Sequence, residues 1–308
     1  MTTPKADFES YWRETVEELG RIPMAAELTP IPLRTTDFST LYGVHLTSIG
    51  PYRIFGYLSV PTSTTTSATK GTKGPHPVIY FTPPYQSVVQ PIPQGAANEL
   101  RRHVITFTLA ARGQRNADKP FAAGFPGWLT TGITDPAAYI FRGVVADCLR
   151  GLEFILSRTD TGIDPARIAV VGNDLAFITA ALGKGATHVA TAPELFFGMP
   201  SQNASGPRSE VIDHLRQSPN DKTKIENTLA LYDLRAFAAS APAARLIQAG
   251  PTGSDLDGTA LAPLTKSAHA TLCESAQSRY KDGLALMTWL AEQFNMPDPN
   301  IILPAAWH

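Results

Sequence analysis

The stretch that most restricts the fold of this chain is residues 167 to 183, RIAVVGNDLAFITAALG. Arg167 to Gly172 is a short β-branched run closed by a glycine, and Leu175 to Leu182 is an apolar, alanine-rich run long enough for two helical turns. The reading is strand, sharp turn, helix.

The same alternation recurs along the chain. Val78 to Phe81 and Val104 to Leu109 are short apolar runs of the buried parallel-strand kind, and His188 to Thr191, Ala244 to Ala249 and Ala270 to Cys273 suit three more. Gly95 to Arg102 reads as a weak helix and Tyr139 to Ser157 as a good amphipathic one, feeding the 167–172 strand through a Gly162 turn; Tyr280 to Phe294 closes the series. Strands and helices alternating at this pace predict an α/β fold, a mostly parallel central sheet flanked by helices on both faces with right-handed crossovers. An extension precedes it. Asp7 to Leu19 puts Phe8, Tyr11, Trp12, Val16 and Leu19 near one side at helical spacing. Residues 29 to 33 read as an extended, proline-broken connection, and Tyr42 to Ser48 with Arg53 to Val60 as a hairpin around Gly50-Pro51. Thr62 to His76, TSTTTSATKGTKGPH, is low in complexity and reads as a mobile surface loop. With no internal repeat, residues 1–308 read as a single domain.

Composition narrows the function. Hydrophobic residues make up 43% of 308, enough for a sizeable core. Lys plus Arg (26) nearly balance Asp plus Glu (27), so no strong field favours nucleic acid or an anionic membrane. The N-terminal MTTPKADFESYW has no apolar signal core and no stretch approaches a membrane span, so the expected place is the cytoplasm. Cys148 and Cys273 are too few for a disulfide framework, and no His or Cys cluster has metal-ligand spacing. No cofactor is expected.

The turn at residues 172–176 is the kind that carries the nucleophile of an α/β-hydrolase, where G-x-S-x-G sets a serine on a strained bend beside oxyanion-binding N–H groups. Here the five places are Gly172, Asn173, Asp174, Leu175 and Ala176. Several stretches together resemble the acetyl-xylan esterase and cephalosporin-C deacetylase family, carbohydrate esterase family 7: DFESYWRETVEEL, PLRTTDFSTLYGVHLTSIGPYRIFGYLSVP, ARGQ at 111–114, GWLTTGITDPAAYIFRGVVADCLRGLE at 127–153 and TLALYDLRAFA at 228–238. The resemblance implies an α/β-hydrolase fold, commonly assembled as hexamers, hence a homo-oligomer, acting on a small molecule. It also implies a triad that these residues do not supply. Asp174 and Leu175 hold the places of the family's serine and its following glutamine, although the Leu175 N–H still suits an oxyanion. The family's acid place falls on Gly253, with Asp255 and Asp257 just beyond, and its histidine place falls near Ser275. Its tyrosine before the first oxyanion turn is matched by Pro84 or Tyr85.

Asp174 then supports four readings: a nucleophile, which still needs a base to activate water; a general acid or base in a dry pocket; a ligand-orienting carboxylate, paired with Arg115, in a retained pocket; or a cap of the following helix. The expectation is a triad-less homologue that binds a small ligand or uses Asp174 for non-hydrolytic chemistry, with an active deacetylase rebuilt around other residues as the alternative. Candidate catalytic groups are Asp174 and Glu274; candidate ligand-binding residues are Tyr85, Arg115, Asn173, Leu175 and Ser275. Cys273 reads as a buried small residue and His269 as structural. Arg112, Asp135 and Arg142 read as a buried ion-pair network, and Trp128, Phe196 and Phe197 as pocket lining or core.

Overall fold

The computed structural model describes residues 5–62, 75–89, 99–114 and 127–296. Most of the low-complexity loop, the start of the weak helix, Arg115 and the terminal His308 lie outside the described residues.

Helix α1 (Lys5–Gly20) leads into β1 (Glu27–Pro30), a short edge strand where the prolines suggested only an extended connection. The hairpin β2 (Ser39–Ser48) and β3 (Tyr52–Pro61) follows, with Ser48 paired to Tyr52 across the Gly50 turn. Next come β4 (His76–Phe81), α2 (Glu99–His103), β5 (Ile105–Ala110), α3 (Ile140–Ser157), β6 (Ile163–Gly172), α4 (Asp174–Leu182) and β7 (His188–Thr191). Helices α5 (Ser209–Gln217), α6 (Lys222–Ala230) and α7 (Leu234–Phe237) bridge to β8 (Ala244–Gln248); α8 (Gly258–Ser267), β9 (Thr271–Cys273) and α9 (Arg279–Gln293) complete the chain. The sequence reading places no helix between β7 and β9. The four helices there, α5 to α8, span 9, 9, 4 and 10 residues, each shorter than the window of about 11 residues or more over which helical periodicity is read.

One continuous sheet runs in the order β1-β2-β3-β5-β4-β6-β7-β8-β9. The pairs from β1 through β3 to β5 are antiparallel and the rest parallel. This matches the expected α/β class. From β4 the chain moves one way to β5 and from β6 the other way to β9, so the order reverses between β4 and β6. Ligands of open α/β sheets lie at the carboxyl ends of the strands flanking such a reversal. Here those ends deliver Thr82 to Tyr85 on one side and Gly172 to Asp174 on the other.

Burial follows the pattern expected of doubly covered strands. Val78, Ile79, Tyr80, Ile105, Phe107 and Val170 are fully enclosed. Helix α1 is pinned across the helical layer: Trp12 Nε1 donates to Leu231 O (2.9 Å), and the Tyr11 hydroxyl lies 2.6 Å from that of Tyr232 and donates to Pro136 O (2.9 Å). The expected buried network of Arg112, Asp135 and Arg142 does not form: the three do not pair with one another, and Asp135 is exposed. Arg112 grips Asp147, which is wholly buried, through Nε (2.9 Å) and Nη2 (2.7 Å) of one guanidinium edge and through its own N–H (2.9 Å). Arg142 instead pairs with Glu18 on α1 (2.7 Å), and Asp135 accepts from Ala137 N (2.9 Å).

Candidate functional site

The bend between β6 and α4 is built without strain. Among the described residues the non-glycine positions with left-handed φ are Ala25, Gln86, His269, Gln277 and Asn295, none of them at the bend. Asn173 is extended (φ −85°, ψ −154°) and caps α4, its Oδ1 accepting from Leu175 N at 3.0 Å. The glycine requirement falls one residue earlier: Gly172 has φ 156° and passes so close to Thr82 that a β-carbon would overlap its Oγ1. The N-cap reading is thus assigned to Asn173, and Asp174 is the first residue inside the helix.

Asp174 is completely enclosed, and its carboxylate is turned onto the chain leaving β7. Oδ2 accepts from Glu194 N (2.7 Å) and Leu195 N (2.9 Å), and Oδ1 from Phe196 N (2.8 Å). Burial raises its pKa above the usual aspartate range, and the three amide donors partly offset the rise. Among the described residues no imidazole reaches it. His76 lies with its Nδ1 3.2 Å from His103 O, His188 is beside Thr187 and the Phe294 ring, His214 faces Asp221, and His269 is exposed.

A second carboxylate, which the sequence reading did not single out, stands at the bend. Glu194 Oε1 accepts from Asn173 Nδ2 at 2.7 Å, and the Tyr85 backbone lies near enough to the same carboxylate to favour its charged form. Its pKa is raised by burial and by the neighbouring Asp174 charge, against the lowering effect of those two neighbours. A third acid, Glu210 at the start of α5, accepts from the Tyr85 hydroxyl (2.7 Å) and from Leu129 N (2.9 Å) and packs on Gly127 so closely that no β-carbon would fit there. Burial raises the pKa of Glu210, and burial together with Glu210 raises that of Tyr85. Beside Tyr85 lies an aromatic wall, Trp128 (ring centroids 5.6 Å apart), Phe141 (6.4 Å, stacked) and, against Phe141, the buried Phe196.

Tyr85, Asn173, Asp174 and Leu175 therefore share one cluster. Glu274 and Ser275 belong to another place. With Cys273, Gln248 and Asp282 they line a cavity of about 100 Å³ at the ends of β8 and β9. There Ser275 Oγ donates to Asp282 Oδ2 (3.1 Å), while exposed Glu274 lies against Gly258 at the start of α8. Burial raises the Cys273 thiol, and the acids Asp282 and Glu274 raise it further. The acids near the family's aspartate place are both engaged: Asp255 with buried Arg208 (2.8 Å), and Asp257 as cap of α8 with Ala260 N (3.0 Å). A second cavity of about 440 Å³, lined by Tyr42, His76, Arg158 and Asp160, opens at the other end of the sheet. Among the described residues no group of three His, Cys, Asp or Glu side chains could hold a metal, and no helix is long and apolar enough to cross a membrane.

Glu194 and Glu210 carry no motif, and the sequence signal that could have found them is weak. Each is a lone acid beside apolar residues, Glu194 within APELFF and Glu210 ahead of a helical stripe. Their partners lie up to 125 residues away.

Comparison with known proteins agrees with this architecture. Solved structures of an acetyl xylan esterase from Paenibacillus sp. R4 (TM-score 0.77, 21% identity, 95% of this chain and 96% of that one) and of acetyl xylan esterase 1 from Thermoanaerobacterium sp. JW/SL YS485 (TM-score 0.73, 17% identity, 96% of both) share the fold. The acetyl esterase Axe7A of Xylanibacter ruminicola is 24% identical over 248 residues, 75% of this chain, which spans about half (53%) of that protein's length. The acetyl xylan esterase (AXE1) family model matches residues 1–254, and the chain belongs to the acetyl xylan esterase family.

Proposed function

We propose that this chain is a non-hydrolytic member of its family, a protein that binds a small molecule at the β4/β6 switch point and does not cut esters there. One observation carries the reading: the carboxylate in the nucleophile's place is buried and accepts three backbone N–H groups from residues 194–196. A carboxylate so buried and so engaged is not presented to a substrate, and among the described residues no imidazole stands beside it to activate water. The Leu175 N–H, which would suit an oxyanion, is also in use, donated to Asn173 Oδ1. In serine proteases loss of the serine or histidine costs on the order of 10⁶ in turnover, so family-like rates are not expected here. Acid and base groups do remain at the site: the hydrogen-bonded Tyr85 and Glu210, both raised in pKa, support proton transfer on a bound ligand as a second reading.

The test is release of p-nitrophenol from p-nitrophenyl acetate and of acetate from 7-aminocephalosporanic acid by the folded protein. The expected result is no release above the buffer blank. Family-like turnover would overturn the proposal, and its loss in an Asp174→Asn variant shown to be folded would establish a rebuilt deacetylase.

A further inference from the structure

The cavity of about 440 Å³ lies at the amino ends of β4 and β6, at the opposite end of the sheet from the bend at 172–174. Thr40 and Tyr42, on one face of β2, form a wall of it, and Thr62 follows the partner strand β3. Arg158, Asp160 and Gly162, in the turn after α3, form another. His76 completes the lining, its backbone N–H donating to Gly162 O (2.7 Å).

His76 is 3% exposed, yet only one of its ring nitrogens is engaged. Nδ1 lies 3.2 Å from the His103 carbonyl, an acceptor, which makes Nδ1 the protonated nitrogen and leaves Nε2 of the neutral ring an acceptor. Nε2 has no partner among the described residues, and the Cδ2 edge beside it faces Gly162, which lines the same cavity. Burial lowers the pKa of His76, the His103 carbonyl opposes the shift and the Arg167 charge adds to it, so the ring is neutral in neutral solution. Arg158 has the complementary defect. Its Nε is an enclosed donor with no acceptor, while Nη2 is held by Asp160 (2.6 Å). With that ion pair closed and the imidazole neutral, the lining carries no net charge. An anion entering it would meet the Nε2 lone pair and the Asp160 carboxylate; a cation would meet the Arg158 guanidinium. What fits is a neutral group whose oxygens both donate and accept, with an apolar side for the Tyr42 ring.

We propose that this recess is a second binding site, for a neutral sugar unit: a hydroxyl donates to His76 Nε2, ring and hydroxyl oxygens accept from Arg158 and the threonines, and the C–H side of the ring rests on Tyr42. The volume lies within the range of small-molecule sites, about 300–1,000 Å³. The site stands apart from the β4/β6 switch point, so it holds whether or not esters are cut there.

Saturation-transfer NMR of the whole chain with methyl β-xylopyranoside, combined with nitrogen-15 labelling of histidine, tests it. The sugar should receive saturable transfer, and the His76 Nε2 resonance should move with the same saturation curve. Tyr42→Ala, shown to be folded by an unchanged far-ultraviolet spectrum and a cooperative melt, should weaken binding by about tenfold or more. If Tyr42→Ala does not fold, Thr62→Val/Arg158→Gln is read in the same way. Absent or unsaturable transfer overturns the proposal, as does a His76 Nε2 resonance that stays still while the sugar binds, since the sugar then sits elsewhere. Sodium phosphate that moves this resonance at a lower concentration than the sugar would make the recess an anion site and overturn it equally.

Discussion

Asp174 and Phe196 are joined across the bend by a 2.8 Å hydrogen bond from the Phe196 amide to Oδ1, and the amides of Glu194 and Leu195 complete the seat on Oδ2. Asp174 is therefore a fastener for the loop that follows β7. Its removal leaves three amide groups without their acceptor. Asp174→Ala should destabilise the protein by about 3 kcal/mol or more, each such buried group costing roughly 1–3 kcal/mol, read as the shift in urea midpoint.

Installing serine should not create an esterase. Asp174→Ser removes the fastener, the bend has no strained residue to present a hydroxyl, and no described histidine stands beside it. The expected outcome is release of p-nitrophenol no faster than from wild type, together with a lowered melting temperature.

Glu210 sets a pH dependence whose sign follows from its raised pKa. Above its ordinary value and below the raised one the folded state holds a proton that the unfolded chain has lost, so this group's contribution to stability falls as pH rises through that window. Glu210→Gln removes the effect. Wild-type stability relative to Glu210→Gln should decline from pH 4.5 upward and level off once the folded glutamate is ionised, as measured by urea unfolding at about half-unit steps. A difference that grows with pH would contradict the assignment.

Arg112 and Asp147 form the best-buried ion pair, with side-chain exposures of 14% and 0%. Breaking such a pair from one side costs roughly 3–5 kcal/mol. Asp147→Ala should lose that much, and the Arg112→Ala/Asp147→Ala double variant should lose less than the two single losses added together, a coupling that a double-mutant cycle in urea measures.

Gly172→Ala tests the close approach of β6 to the end of β4. The added methyl overlaps Thr82 Oγ1, so a loss of about 1–3 kcal/mol is expected. Thr82→Ala in the same chain should recover part of it, the φ of 156° accounting for the rest.

The strands from β2 to β9, the parallel core and the family were legible without coordinates, because each is written in contiguous residues: apolar runs of strand length, the glycine-closed bend at 172, the ARGQ and GITDP stretches; β1 and the helices α5 to α8 were not. So was the substitution of Asp174 at the bend. The direction in which its carboxylate points was not. N-cap chemistry at residues 173–174 allows either residue to take the cap, and only the path of the chain after β7, set by the packing of Phe196 against Phe141 and Tyr232, brings three amides to Asp174 and leaves the cap to Asn173. Glu194 and Glu210 became site residues for the same reason. A lone acid in a loop or at a helix start has no periodicity to betray it, and its partner at Tyr85 is supplied by the reversal of strand order between β4 and β6. Local sequence determined which elements form and what stands at the bend; the tertiary structure decided what each carboxylate faces, because those contacts join segments that the chain itself keeps far apart.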